Sequence, residues 1–185
     1  VARRLASLAS FYSYCVSEYV IDFSPLETVR RPRTGEGYVD FTPALDGDEL
    51  HRLIAAATSH QDRALVLVLA VLGLRVSELL TLDLDRFDMV RGHTTIVVSG
   101  KGGRIDRLPL PPLVVAAIDD LAQSEGRTVG PVFLDRNERR WNRHQAGRAL
   151  IRIGKAARIE RRVRPHMLRA TAITRALDLG ATLRD

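Results

Sequence analysis

Gly73-Leu74-Arg75-Val76-Ser77-Glu78-Leu79 closes the longest apolar run of the chain, Ala64 to Leu74, and the rest of the sequence is read outward from it. Bounded by Arg63 and Arg75, the run falls far short of the roughly 20 apolar residues that span a bilayer, so it predicts a buried helix from about Asp62 to Leu72. Gly73 interrupts that helix, and Arg75 to Leu80 resumes it with Ser77 and Glu78 polar beside Leu79 and Leu80. A permanent charge at the end of a buried helix costs free energy unless an anion receives it. Arg75 therefore pairs with Glu78 one turn on, sits as a surface residue at a helix start, or meets an anionic ligand.

Downstream, Thr95 to Val98 and Ile105 to Leu110 flank Ser99-Gly100-Lys101-Gly102-Gly103-Arg104, which reads as strand, Gly-rich turn and strand. Glycines there let the backbone and Lys101 approach a phosphate, although the spacing is not that of a Walker loop and an ordinary exposed hairpin tip reads the same way. Pro111-Pro112 opens a helix with Leu113, Val114, Ala117, Ile118 and Leu121 on one side. Pro131 to Leu134 is a short strand or extended piece. From Asn142 to Arg158, Ala146, Ala149, Leu150, Ile153 and Ala157 form an apolar stripe, while Arg148, Arg152 and Lys155 form a cationic one. Pro165 restarts the chain into His166-Met167-Leu168-Arg169, where a helix brings His166 and Arg169 onto one face, able to hold one phosphate together.

Upstream, Asp46, Asp48 and Glu49 begin a helix whose first-turn acids suit the helix dipole. The breaker-rich, basic stretch around Arg30-Arg31-Pro32-Arg33 and Thr34 to Gly37 reads as a linker. Residues 3 to 22 carry Leu5, Leu8, Phe11, Tyr12, Cys15, Val16 and Tyr19 at helical spacing, a lone amphipathic helix that cannot bury its own stripe. The expected division is 1–30 as the last helix of one domain, 31–41 as linker and 42–185 as a second domain. The chain starts with Val1, which fits an excised fragment.

With 185 residues, 45% of them hydrophobic, the chain has material for one core and a smaller appendage. A single cysteine, Cys15, forms no internal disulfide, and no Cys/His spacing suggests zinc, so a reduced, cytoplasmic protein is expected. Its basic excess is local: Arg136 to Arg169 holds twelve Lys/Arg against Glu138 and Glu160, leaving the remainder net acidic. Such polarity either meets a polyanion or is a solvated, Arg-rich surface; only Lys101 and Lys155 are lysines. Arg75, a hairpin lysine and a His/Arg pair together, without a carboxylate cluster for metal, suit metal-free phosphoryl transfer.

Gly73 to Leu79, the hairpin Lys101, and Pro165-His166-Met167-Leu168-Arg169-Ala170-Thr171, in that order and at these separations, resemble the tyrosine recombinase (phage integrase) family. The resemblance covers about Thr42 to Asp185, and Leu8 to Val29 is similar to the last helix of that family's SAM-like core-binding domain. It implies an α+β fold: a mainly helical catalytic domain with a small β-hairpin or sheet, preceded by a remnant helix. It also implies site-specific DNA strand exchange through a 3′-phosphotyrosyl link, with no cofactor, for integration or excision of phage or mobile DNA.

By that resemblance Arg75 and Arg169 clamp the non-bridging oxygens of the scissile phosphate, Lys101 protonates the departing 5′-oxygen and His166 assists proton transfer. Glu78 buttresses Arg75, while Arg104, Arg148, Arg152 and Lys155 hold the DNA backbone. Implied partners are double-stranded attachment or recombination sites, a homo-tetramer on DNA, and accessory DNA-bending or directionality proteins, inside a bacterial host. Ala170 stands where the family often has a second His. The last tyrosine is Tyr38, in the linker, so the nucleophile is expected beyond Asp185 and the fragment is expected to bind DNA without cutting it. A DNA-binding regulator that kept the fold and lost the chemistry, or a type IB topoisomerase, shares part of this pattern.

Overall fold

A computed structural model describes residues 2–27, 29, 43–99 and 105–181. The chain separates into two compact units, Val1–Phe41 and Thr42–Asp185. In the first, α1 spans Ala2–Ser17, five residues short of the expected end, and leaves Leu8, Phe11 and Tyr14 exposed. The proposed linker 31–41, with Tyr38, lies outside the described residues.

The second unit is built around α3 (His60–Leu72), whose residues Ala64 to Ala70 are all buried. It begins two residues earlier than the apolar run suggests because Ser59 caps it, the hydroxyl accepting from the N–H of Asp62 at 3.1 Å. Before it lies α2 (Gly47–Ala56), started by a reciprocal cap in which Asp46 accepts from the Glu49 N–H and Glu49 accepts from the Asp46 N–H. Gly73 ends α3 in a left-handed conformation, φ 60°, donating to the Leu69 carbonyl, and α4 (Val76–Leu79) follows at once.

Three strands form an antiparallel sheet in the order β1 (Phe87–Val90), β2 (His93–Ser99), β3 (Ile105–Pro109). Phe87 pairs with Ile96, and Ile96 with Leu108. Strand β1 extends the expected hairpin: Arg91 and Gly92 both adopt positive φ, the backbone of a tight two-residue hairpin turn, although Arg-Gly lacks the Asn-Gly signature of such turns. Ile96 and Val98 face the core.

Pro112 begins α5 (Pro112–Ser124), which buries Val114, Ala117, Ile118 and Leu121. The Pro131–Leu134 piece joins no strand of the sheet and makes isolated bridges, Asp83 with Pro131 and Leu134 with Arg140, while Phe133 stacks on Trp141. Asn142 caps α6 (Arg143–Ala156), and Pro165 opens α7 (Pro165–Asp178). Helices α2, α5, α6 and α7 pack around α3. Two close approaches hold the α6 and α7 regions: a Cβ added to Gly154 would lie 2.5 Å from Val163 Cγ2, and one added to Gly73 would lie 3.1 Å from Ala172 Cβ.

Candidate nucleic-acid site

Arg75 occupies the cap position of α4, just past the glycine that ends the buried helix. Both oxygens of Glu78 serve it: Oε2 accepts from the Arg75 backbone N–H and Oε1 from Nη1, each at 2.7 Å. Glu78 itself is buried, so its charge is compensated by a guanidinium whose outer half stays exposed. The pairing open from sequence is therefore real, and it leaves the remaining donors of Arg75 facing outward.

Arg169 reaches the same place from α7, donating through Nη1 to the carbonyl of Gly73. A C-terminal helix carbonyl has no partner within its own helix, so Arg169 satisfies one end of α3 while it is being oriented. A cavity of about 220 Å³ lies beside the pair, lined by Arg75, Ser77, Arg143, His166 and Arg169 with Leu74, Val76 and Pro165 as its apolar part. His166 stands exposed on the first turn of α7. On the other flank is a wider groove of about 700 Å³ bordered by Arg75, Glu78, Arg169, Val98, Asp106 and Arg107. The strand residues either side of the Gly-rich turn thus line a groove that also holds both arginines; Lys101 and Arg104 themselves lie outside the described residues.

Arg143, not singled out from the sequence, belongs to this site. It makes no ion pair or side-chain hydrogen bond among the described residues, and its position directly after the Asn142 cap is the signal that places it at the open end of α6. The cationic stripe of α6 divides. Arg148 and Lys155 are exposed, whereas Arg152 Nη2 donates to Asp62 Oδ1 at 2.6 Å. Asp62 is buried in α3, and its hydrogen bond holds the Arg152 guanidinium above its usual already high pKa. Arg152 therefore ties α6 to α3, which spacing along one helix could not reveal.

The loop leading into α6 is fixed by Asp135, whose Oδ1 accepts the N–H groups of Asn137 and Arg139 and whose Oδ2 accepts from Gln145. These bonds, that of Arg139 foremost, hold its carboxyl below the usual carboxylate range. In the described residues no helix is long and apolar enough to cross a membrane.

Two guanidiniums oriented by protein acceptors, with a third and an imidazole around one cavity, form a site for an anion with several oxygens. Residues 43–185 match the phage integrase family, and the chain belongs to it. The XerC tyrosine recombinase of Pelotomaculum thermopropionicum is 34% identical over the whole of this chain, which spans 64% of that relative, and the XerD tyrosine recombinase of Listeria monocytogenes is 27% identical over the whole chain and 65% of its own length. The chain thus spans a little under two thirds of the curated relatives it matches. Among solved structures, the XerA recombinase superposes with a TM-score of 0.68 at 28% identity, over 76% of this chain and 53% of that one. A lambda integrase dimer bound to a COC′ core site gives a TM-score of 0.73 at 17% identity, over 97% and 67% of the two chains, which shows the shared fold. The mainly helical α+β architecture with a small antiparallel sheet is that of tyrosine recombinase catalytic domains.

Proposed function

We propose that this chain is the phosphate-activating part of a site-specific DNA recombinase that breaks and rejoins duplex DNA through a 3′-phosphotyrosyl intermediate. The observation that carries the reading is the convergence of Arg75 and Arg169 on one cavity beside His166, each arginine held by its own protein acceptor. Guanidiniums fixed in advance stabilise charge that grows on the non-bridging oxygens without reorganising during the reaction. In the proposed step a tyrosine outside these 185 residues attacks phosphorus, the bond to the 5′-oxygen breaks, and Lys101 delivers the proton that the leaving oxygen takes up. His166 moves protons around the phosphate, and Glu78 holds Arg75. The 5′-hydroxyl of a partner strand then reverses the step. Arg104, Arg148 and Lys155 hold the backbone, and Arg152 does so with whatever donors Asp62 leaves.

The named XerC and XerD relatives support recombination as the reaction. Integration or excision of phage or mobile DNA, at paired duplex sites within a tetramer and with accessory proteins in a bacterial cytoplasm, is the use proposed for it. The test is a nicked duplex that loses its 5′-hydroxyl fragment on cleavage, incubated with the product of the natural gene and with the 185-residue chain. The gene product is expected to leave a covalent adduct whose linked tyrosine maps outside residues 1–185, and the shorter chain to bind without an adduct. An adduct on Tyr12, Tyr14, Tyr19 or Tyr38, or a gene product that binds DNA and forms none, refutes the reading.

A further inference from the structure

We infer that Thr171 is a positioning residue for Arg169, locking α7 from behind by a hydroxyl bridge to the segment that leads into α2; the functional meaning of that lock rests on the reading above. Helix α7 carries both His166 and Arg169, yet only Met167, Leu168 and Thr171 along it are fully buried, and residues 173–180 are exposed. The fully buried anchor of the helix thus lies in its first two turns.

Thr171, with no exposed surface, is the buried polar residue of that anchor. Its Oγ1 accepts from the N–H of Leu45 at 2.8 Å and donates to the Met167 carbonyl one turn back, also at 2.8 Å. The post to which it is tied is rigid: Arg161 donates to the Ala44 carbonyl at 3.0 Å and pairs with Glu49, which closes the cap on Asp46. Two residues along a helix differ by about 200°, so Arg169 faces the cavity from the side opposite Thr171. On the cavity side, a Cβ on Gly73 would lie 3.1 Å from Ala172 Cβ, so the bare glycine is what lets α7 sit this close. Thr171 stops it from receding or turning. A hydrogen bond to phosphate survives a displacement of only some tenths of an ångström, so the bridge sets whether Arg169 reaches Gly73 and an anion together.

The test compares Thr171→Val, Thr171→Ala and Thr171→Ser in the 185-residue protein, reading the Nε–H NMR signals of Arg169 and Arg152. Loss of the hydroxyl in Val is expected to shift the Arg169 signal while that of Arg152, paired with Asp62, stays in place; Ser restores it. Should Val fail to fold, Ala removes the same hydroxyl without adding bulk and is expected to give the same shift. An unmoved Arg169 signal in the folded variants, or equal movement of both arginines, overturns the inference. In duplex-DNA titrations Thr171→Val is expected to weaken binding about tenfold, the scale of one charge-assisted hydrogen bond. Combined with Arg169→Ala it should cost no more than Arg169→Ala alone, and additive losses refute the coupling. If no form of the protein binds DNA, the recombinase reading fails, and the NMR comparison still decides the role of Thr171.

Discussion

Replacing Gly154 by Ala should destabilise the second unit, against the ordinary rule that a helical Gly gains about 1 kcal/mol on becoming Ala. The added Cβ would meet Val163 Cγ2 at 2.5 Å and Val163 Cβ at 3.0 Å, and Val163 is buried and branched at Cβ, so no flexible side-chain end yields. Overpacking of this kind costs about 1–3 kcal/mol, and the contact lies at the severe end, leaving a net loss of about 1–2 kcal/mol after the gain in propensity. Gly147, on the same helix with nothing within 4 Å of its added Cβ, is the control and should gain about 0.5–1 kcal/mol. Thermal unfolding resolves the two, at about 2–4 °C per kcal/mol. Adding Val163→Ala to Gly154→Ala should recover about 1 kcal/mol relative to the sum of the single changes, because the clash is between those two residues. If Gly154→Ala raises the midpoint as Gly147→Ala does, the argument that this glycine exists to admit Val163 is wrong. Val163 lies two residues before Pro165, so the same variant should also disturb the His166 signals at the start of α7.

Arg152→Ala should lower stability by about 1–2 kcal/mol by stranding the buried Asp62, a figure kept below that of a fully buried pair because Arg152 is largely exposed. Arg148→Ala and Lys155→Ala should leave the unfolding midpoint unchanged and each lower the salt slope of duplex binding by about one unit; equal stability losses for all three would refute the distinction. Asp135 has a depressed pKa, so its contribution is present above the unfolded value and is lost as pH falls through the folded one. Asp135→Asn should therefore differ most from the parent at neutral pH, with the gap closing below the ordinary 3.8, as followed by melting across pH. Glu78→Gln keeps an acceptor but removes the negative charge that pairs with Arg75; duplex binding should weaken severalfold while far-UV circular dichroism is unchanged, and unaltered binding would count against the role given to Glu78.

The buried helix, its stop at Gly73, the α6 stripe and the helix opening at Pro165 were all legible because periodicity and breakers act locally. Strand β1 was missed: four residues with only Phe87 and Val90 partly buried carry little alternation, and its turn uses Arg91 in a conformation usually left to Asn or Gly. At the site, Arg75 with Glu78 could be read from three-residue spacing, whereas the partners of Arg152 and Arg169 lie 90 and 96 residues away and follow from tertiary packing alone. Arg143 escaped because it belongs to neither stripe of α6: its place after the Asn142 cap marks the helix start, but its nearness to His166 follows only from the packing of α7.

That difference in range has a consequence for how the site comes into being. The Arg75 clamp closes within a single turn of chain and can form as soon as α4 does. Arg169 is held only when α7 has docked on the far end of α3. A half-folded molecule thus holds one arginine in place and leaves the other without its acceptor. Under the proposed function, the two-arginine arrangement that the chemistry requires comes into being only once the fold is complete.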